Sequence, residues 1–477
     1  MKVKLLFACN KKALNERTRI VATAGKLSRF PGTVTEVYKS STDYEKNKKF
    51  IERVIAMGHE SITDHDYLVF ALENVTPFVE QIIIQERFSS FTIKSRREVN
   101  FANVGFVTPE FRNQKYQVLN NNLELQKKYK KQMRYLFKSY QKLVDLGLKK
   151  EDARFVLPYS FHSNIIMGID AHTLKNWLVK LTKGKESNIA ELKELGLKLY
   201  AIMENYVAYL KESVDKVELE NCDQVECLLN KYITDRSYEI IDKVELLSYT
   251  PEADEKIIEA ALMRVYGYNY QKALKIYQSF KDNKELQREV MKEVIKTVDK
   301  KELKQVNFSF QFPISLAVLT HYTRHRTHPI MIPDFVPIKD LTKYKIPPTM
   351  DSKMIKIYKE ALAKTYKLYL EFKQNKVCDE DLIYFYTEGN MLNIETNFDG
   401  GTLAHIMRLR ICNKAQWETR EIAYQMRDLV KKVAPIYGSV LGSDCEIFNI
   451  CKEGKESCGK INYINKDINA NIEFKKI

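Results

Sequence analysis

Phe78-Val79-Glu80-Gln81-Ile82-Ile83-Ile84 runs into Gln85-Glu86-Arg87, and about 240 residues later the apolar run from Phe310 to Tyr322 meets Arg324-His325-Arg326 at a matching distance. The chain therefore reads as two imperfect copies of one block. Their starts agree as well: Val3-Lys4-Leu5-Leu6 opens the first and Val244-Glu245-Leu246-Leu247-Ser248-Tyr249-Thr250-Pro251 the second, each followed by a helical stretch. Repeats of this length are duplicated domains rather than solenoid units. The first copy is expected over 1–225 and the second over 240–477, with the hinge between Glu218 and Val244, where the pattern weakens although Cys222 to Tyr232 still reads as a helix. No Gly/Ser-rich or Pro-rich linker divides them, so the halves are expected to pack together.

The periodicity predicts a helix-dominated α+β chain. Leu123 to Val144, Ile189 to Val214, Glu255 to Phe280, Glu285 to Lys296, Met354 to Lys373 and Leu403 to Val433 carry apolar residues at three- and four-residue spacing with charged opposite faces. Tyr67 to Leu72 and Val306 to Phe312 read as strands, the second alternating in part as Val306, Phe308, Phe310, Phe312.

Composition narrows the setting. At 477 residues the chain has ample core for stability without disulfides. A formal charge of +15 suits anionic partners, yet the Lys excess is spread over nearly every helix, so nucleotide-sized anions fit better than long nucleic acids. Eight cysteines with no tight CxxC pair point to reduced thiols and a cytoplasmic setting. Cys445, Cys451 and Cys458 stand at spacings of six and seven without a fourth ligand, so no metal is assigned. Met1 to Cys9 holds too short an apolar run for a signal peptide, and no stretch approaches the length of a membrane span.

The motifs carry more. Alone, Arg324-His325-Arg326 would be an ordinary helix end, where cations favour the C-terminal dipole. Its neighbours change that reading. Arg87 followed by seven residues and then Ser95, with Arg97 two further on, has the spacing of the signature of flavin-dependent thymidylate synthases, and the chain is similar to that family in several other places. Gly58-His59-Glu60-Ser61 with Asp64-His65 resembles the family's Gly-His-Glu-Ser and the acidic-His pair after it. Ala153-Arg154-Phe155-Val156-Leu157-Pro158 resembles its Ala-Arg-x-Val-Leu-Pro segment. Leu403 to Glu421, containing His405, Arg408, Arg410 and Ala415-Gln416-Trp417-Glu418, looks like its most distinctive helix. The tail, Gly442 with Cys445, Cys451 and Ser457-Cys458-Gly459, is similar to tails in some members. His59 and His65 also have a bland reading as structural histidines, and Trp177 and Trp417 read as core anchors.

Each copy departs from the family where the other keeps it. The first copy has Gln85-Glu86-Arg87 for the triplet, and Thr92-Ile93 where an Asn-Glu pair is expected; Leu181 or Lys180 stands in place of the second arginine. The second copy keeps the triplet but has Asp334 and Val336 where the first has Ser95 and Arg97, and Ile383 near the place of Arg154. The family's Asn-Ala-Arg appears as Asp170-Ala171-His172 and as Asp399-Gly400-Gly401, and His321 stands where a Gln is usual. Family active sites form between subunits of a tetramer. The resemblance therefore implies one composite site, with Ser95, Arg97 and Arg154 from the first copy and Arg324, His325, Arg326 and Arg410 from the second, in a homodimer that mimics the tetramer.

The activity so implied is reductive methylation of dUMP to dTMP, with methylenetetrahydrofolate giving the carbon and NAD(P)H reducing FAD. By family position Ser95, Arg97, Arg154, Arg324 and Arg410 bind substrate, Arg410 being the catalytic cation beside the uracil ring. His59, Ser61, Arg324, His325, Arg326 and His405 fall on the flavin side. The alternative is a catalytically silent relative that binds a nucleotide or serves a structural role. Binding of RNA or DNA through the Lys-rich surface is the weaker third reading.

Overall fold

The computed structural model describes residues 1–7, 10–218, 224–235, 237–325, 327–335 and 340–461. Two four-stranded antiparallel sheets organise it. The first contains β1 (Lys2–Leu5), β2 (Tyr67–Val75), β3 (Ser89–Ile93) and β4 (Ser163–Asp170) in the order β1-β2-β4-β3. The second contains β5 (Glu245–Tyr249), β6 (Asn307–Ser315), β7 (Ile330–Met331) and β8 (Met391–Asp399), and its order, β5-β6-β8-β7, repeats the first. Register repeats too, with Tyr67 opposite Asp170 and Asn307 opposite Asp399.

Period-two patterning explains why these segments are strands. Leu68, Phe70 and Leu72 of β2 are buried, as are Phe308, Phe310, Phe312 and Ile314 of β6, while the residues between them are less so. Both central strands run straight into a helix, Pro77–Gln85 and Leu316–Thr323. Both helix starts are held by a carboxylate from far along the chain. Glu191 accepts from Thr76 N at 2.9 Å and Thr76 Oγ1 at 2.7 Å; Glu418 accepts from Ser315 N at 2.8 Å and Ser315 Oγ at 2.7 Å. A buried carboxylate so placed satisfies amide donors that the helix itself cannot, and favours the positive end of its dipole.

The residues group into two compact units. One holds Met1–Tyr238 with Phe335–Asn390, the other Glu239–Asp334 with Met391–Ile477. In the first unit, helix Asn122–Asp145 lies against helix Ser352–Gln374. Gln132 Nε2 donates to Thr365 Oγ1 at 2.8 Å, and Phe111 meets the edge of Phe372 at 4.8 Å between ring centroids. Beyond these helices Pro158 bridges Thr387, and Tyr159 N donates to Tyr386 O at 2.7 Å. Buried Tyr129, Phe372 and Phe385 fill the seam, each worth roughly 1.5–3 kcal/mol of apolar burial. Around the first sheet, Val21, Ile51, Phe70, Trp177 and Leu195 belong to one core.

Three helices expected to be continuous are broken. Glu255 to Phe280 divides into Ala253–Tyr266 and Tyr270–Phe280, because Gly267 takes a left-handed φ of 65° and Asn269 caps the next helix by accepting from Lys272 N. Leu403 to Val433 divides into Gly400–Arg410 and Trp417–Val433, where the Gln416 side chain accepts from the amides of Glu418 and Thr419. Ile189 to Val214 bends after helix Ala190–Tyr206 at Val207, whose φ of −141° is not helical. Helices Asn122–Asp145, Lys284–Lys296 and Ser352–Gln374 match the expected ones closely. Of the expected helix from Cys222 to Tyr232, Gln224–Leu229 is helical, and Cys222 and Asp223 lie outside the described residues. Among the described residues no helix is long and apolar enough to cross a membrane.

Candidate active site

In the second unit, helix Gly400–Arg410 starts where Asp399 accepts from Thr402 N at 2.9 Å, and ends with Arg410 in its last turn. Arg410 Nη2 donates to His321 O at 2.6 Å and to His325 Nε2 at 2.8 Å. One guanidinium thus binds both the last turn of helix Leu316–Thr323 and the ring just beyond it. Because Nε2 accepts, the imidazole proton is placed on Nδ1. Burial first, then the neighbouring Arg410, lowers the His325 pKa to about 3, so the ring is neutral and the corner's charge resides on arginine. His405 meets His325 edge-on at 5.7 Å, and burial lowers its pKa as well. Arg324, exposed, forms the cap of helix Leu316–Thr323. Arg408 points elsewhere, pairing with Asp444 as residues two apart on a helix must. Arg326 and Val336 lie outside the described residues.

In the first unit, Ser95, Arg97 and Arg154 gather around Glu151. Arg97 N donates to Ser95 Oγ at 3.3 Å, Arg97 Nε to Glu151 Oε2 at 2.7 Å, and Arg154 Nε to the Glu151 carbonyl at 3.1 Å. Their exposures differ. The Arg97 side chain is 36% exposed, whereas Arg154 is 2% exposed and burial pushes its pKa down to about 10. Arg154 Nη1 stands 3.7 Å from Glu388 Oε2, and its Nη2 makes no hydrogen bond among the described residues. His59 and Ser61 sit exposed at the start of the 3-10 turn Glu60–His65, and neither side chain is hydrogen-bonded among the described residues.

Sequence reasoning missed the group behind Arg154. Arg96, buried, donates to both Glu388 and Glu80, and its guanidinium lies 5.2 Å over the Phe161 ring. Burial works against this charge, but the two carboxylates outweigh it and raise the Arg96 pKa. Glu388 is itself raised, by burial. Two arginines and two glutamates therefore form a buried group of zero net charge. A lone Glu80 inside the apolar run Phe78 to Ile84 was the available signal; Glu388, about 300 residues away, gave none.

The Asn-Ala-Arg positions are spent on structure. Asp170 and Asp399 cap their helices and accept from Thr173 Oγ1 and Thr402 Oγ1 at 2.8 and 2.9 Å. His172 Nδ1 lies 2.9 Å from Asp64 and its Nε2 3.3 Å from Glu60.

A family model described as thymidylate synthase complementing protein matches residues 12–207 and again residues 245–436. A flavin-dependent thymidylate synthase of Clostridium tetani is 30% identical over 239 residues, covering 46% of this chain and 93% of that protein. One of Thermococcus onnurineus is 33% identical over 132 residues, 27% of this chain and 51% of that protein. The chain spans about half the length of the first curated relatives it matches. Among solved structures, a UMP/dUMP methylase of Streptomyces cacaoi bound with 5-Br dUMP shares 18% identity over 44% of this chain and 94% of that one, with a TM-score of 0.37. With the same sheet order in each half and a family match to each, the chain belongs to the thymidylate synthase complementing protein family and carries two copies of it in tandem.

Proposed function

We propose that the chain converts dUMP to dTMP by reductive methylation, using methylenetetrahydrofolate and NAD(P)H with FAD as cofactor, and that its two halves contribute different groups to that one reaction. The observation supporting it is the Arg410 guanidinium, fixed by the His321 carbonyl and the neutral His325 ring. A cation held in advance stabilises negative charge that develops on a pyrimidine, without reorganisation during the reaction. Arg410 is accordingly the catalytic residue of this reading, with Arg324 beside it for substrate and cofactor. Ser95 and Arg97 supply hydroxyl and guanidinium donors suited to a phosphate dianion. Arg154 would offer the phosphate its Nη2, which makes no hydrogen bond among the described residues.

The flavin, when bound, supplies hydride chemistry. The ring donors of His325 and His405, with Arg324, Arg326, His59 and Ser61, form the set proposed to hold it, and their donor-rich character suits an anionic isoalloxazine. At the Asn-Ala-Arg positions the fit is poorer, since Asp399 is consumed as a cap and Gly400 and Gly401 offer no cation. That loss favours the second reading, a nucleotide-binding relative without catalysis. The proposed setting is cytoplasmic, and the proposed assembly a homodimer.

The test is the visible spectrum of the protein with FAD, followed by NADPH oxidation at low oxygen with and without dUMP, and assay of dTMP. Flavin reduction quickened by dUMP, and dTMP formation cut roughly 10²–10³-fold by Arg410→Ala, is the expected result. Binding of dUMP without flavin or product would establish the second reading instead.

A further inference from the structure

The first copy has its own counterpart of the His325 corner, and its polarity is reversed. Phe91 pairs with Met167, three residues before Asp170, and Ile330 pairs with Thr396, three before Asp399. Five residues before those pairs in each copy stand Glu86 and His325, so Glu86 takes the place of His325. Around Glu86 opens a cleft of 800 Å³, lined by residues including Tyr67, Phe88, Asp64, His172 and Lys180. It lies wholly among residues of the first unit.

Two features make it a built site. Glu86 Oε2 accepts from Trp177 Nε1 at 3.1 Å, and Trp177 is 1% exposed, so an immobile indole orients the carboxylate. Its other oxygen makes no hydrogen bond among the described residues. The second feature is aromatic. Tyr67 lies across Gly168, where a Cβ would meet its hydroxyl at 2.5 Å, and the large ring of Phe88 is 64% exposed at the cleft. Arg87 lies 5.5 Å over the Phe88 ring, and the ring surface left open beside the oriented carboxylate offers a face for stacking next to an acceptor edge. Asp64, held to His172, fixes the rim.

We propose that this cleft binds a planar amino-heterocycle, protonated on the ring nitrogen beside an amino group, whose adjacent N–H donors meet Glu86 while its ring stacks on Tyr67 and Phe88. A carboxylate accepts on both oxygens and repels acceptor edges, so the site selects aminopyrimidine-type edges over uracil-type ones. The cleft is therefore chemically opposite to a site for a uracil nucleotide.

The test is isothermal titration of the full chain with 2,4-diaminopyrimidine and with uracil. The diaminopyrimidine is expected to bind and uracil to bind at least tenfold more weakly. Glu86→Gln should weaken diaminopyrimidine binding by roughly 10–100-fold, and Phe88→Ala, at an exposed position, by about 5–100-fold. Arg410→Ala should leave it unchanged, which separates this site from the proposed synthase chemistry. No binding of diaminopyrimidine at millimolar concentration, equal binding by uracil, or binding that follows Arg410 instead of Glu86 would overturn the assignment. Phe88→Ala keeps the test valid should Glu86→Gln fail to fold.

Discussion

Glu388→Gln tests the buried charge group most directly. Arg96 retains Glu80 in this variant, but Arg154 loses its strongest opposing carboxylate, keeping only the weaker attraction of Glu151, and the buried group goes from neutral to one positive charge. At 3.7 Å and an effective dielectric of about 20, the lost attraction is about 4.5 kcal/mol, in line with the roughly 3–5 kcal/mol expected on breaking a buried pair from one side. A domain holds only about 5–15 kcal/mol in all. Urea unfolding followed by circular dichroism and tryptophan fluorescence should show the first unit losing a third or more of its stability. Adding Arg154→Met to Glu388→Gln restores neutrality, so the double variant should be more stable than Glu388→Gln alone by about 2 kcal/mol or more. A loss below about 1 kcal/mol for Glu388→Gln, or additive effects in the double variant, would refute this account of the group.

Further outcomes follow from other carboxylates and from the histidine corner. Burial raises the Glu191 pKa to about 6, so the native state binds the extra proton between about pH 4.5 and 6 and this residue's contribution falls as pH rises through that window, by about 2 kcal/mol in all. Glu191→Gln should abolish that slope, and an unchanged slope would count against it. Glu418→Gln retains one acceptor for Ser315 and should cost about 1–3 kcal/mol, measurable by thermal melting. His325, held near pKa 3 against about 6.5 when unfolded, lets the unfolded chain take up the proton first, so its contribution to stability declines as pH falls from about 6.5 toward 3. Its imidazole carbon signals should therefore remain those of a neutral ring at pH 5; titration near 6.5 would contradict the packing described.

The duplication was legible because apolar runs and their polar successors repeat at fixed offsets, and these are the features that set strand order. Phe308, Phe310 and Phe312 declare an inward face by alternation alone. Breaks in long helices were less visible, since Gly267 and Gln416 interrupt patterns that remain periodic on both sides. Ser95, Arg97 and Arg154 are grouped in advance only by the resemblance of two separate motifs to the family's, and hydrogen bonds through Ser95 and Glu151 join them. Burial of Arg154 beside Glu388 has no local signature, because it depends on a loop from the other copy and no local pattern records a contact so distant. Glu86 read as a lost motif, and only strand register revealed it as an oriented group in a cleft.

The exchange of Phe335–Asn390 into the unit begun at Met1 sets a schedule for synthesis. Helix Asn122–Asp145 leaves the ribosome long before helix Ser352–Gln374 exists to cover it. At about 5–20 residues per second, the interval from Tyr238 to Asn390 lasts roughly 8–30 s. During that time Phe111 is without Phe372, and Tyr129 without Phe385, against its ring. Nascent chains stalled within this window should therefore bind hydrophobic-surface chaperones strongly and release them once residue 390 emerges, so the duplicated gene has made the folding of its first half wait for its second.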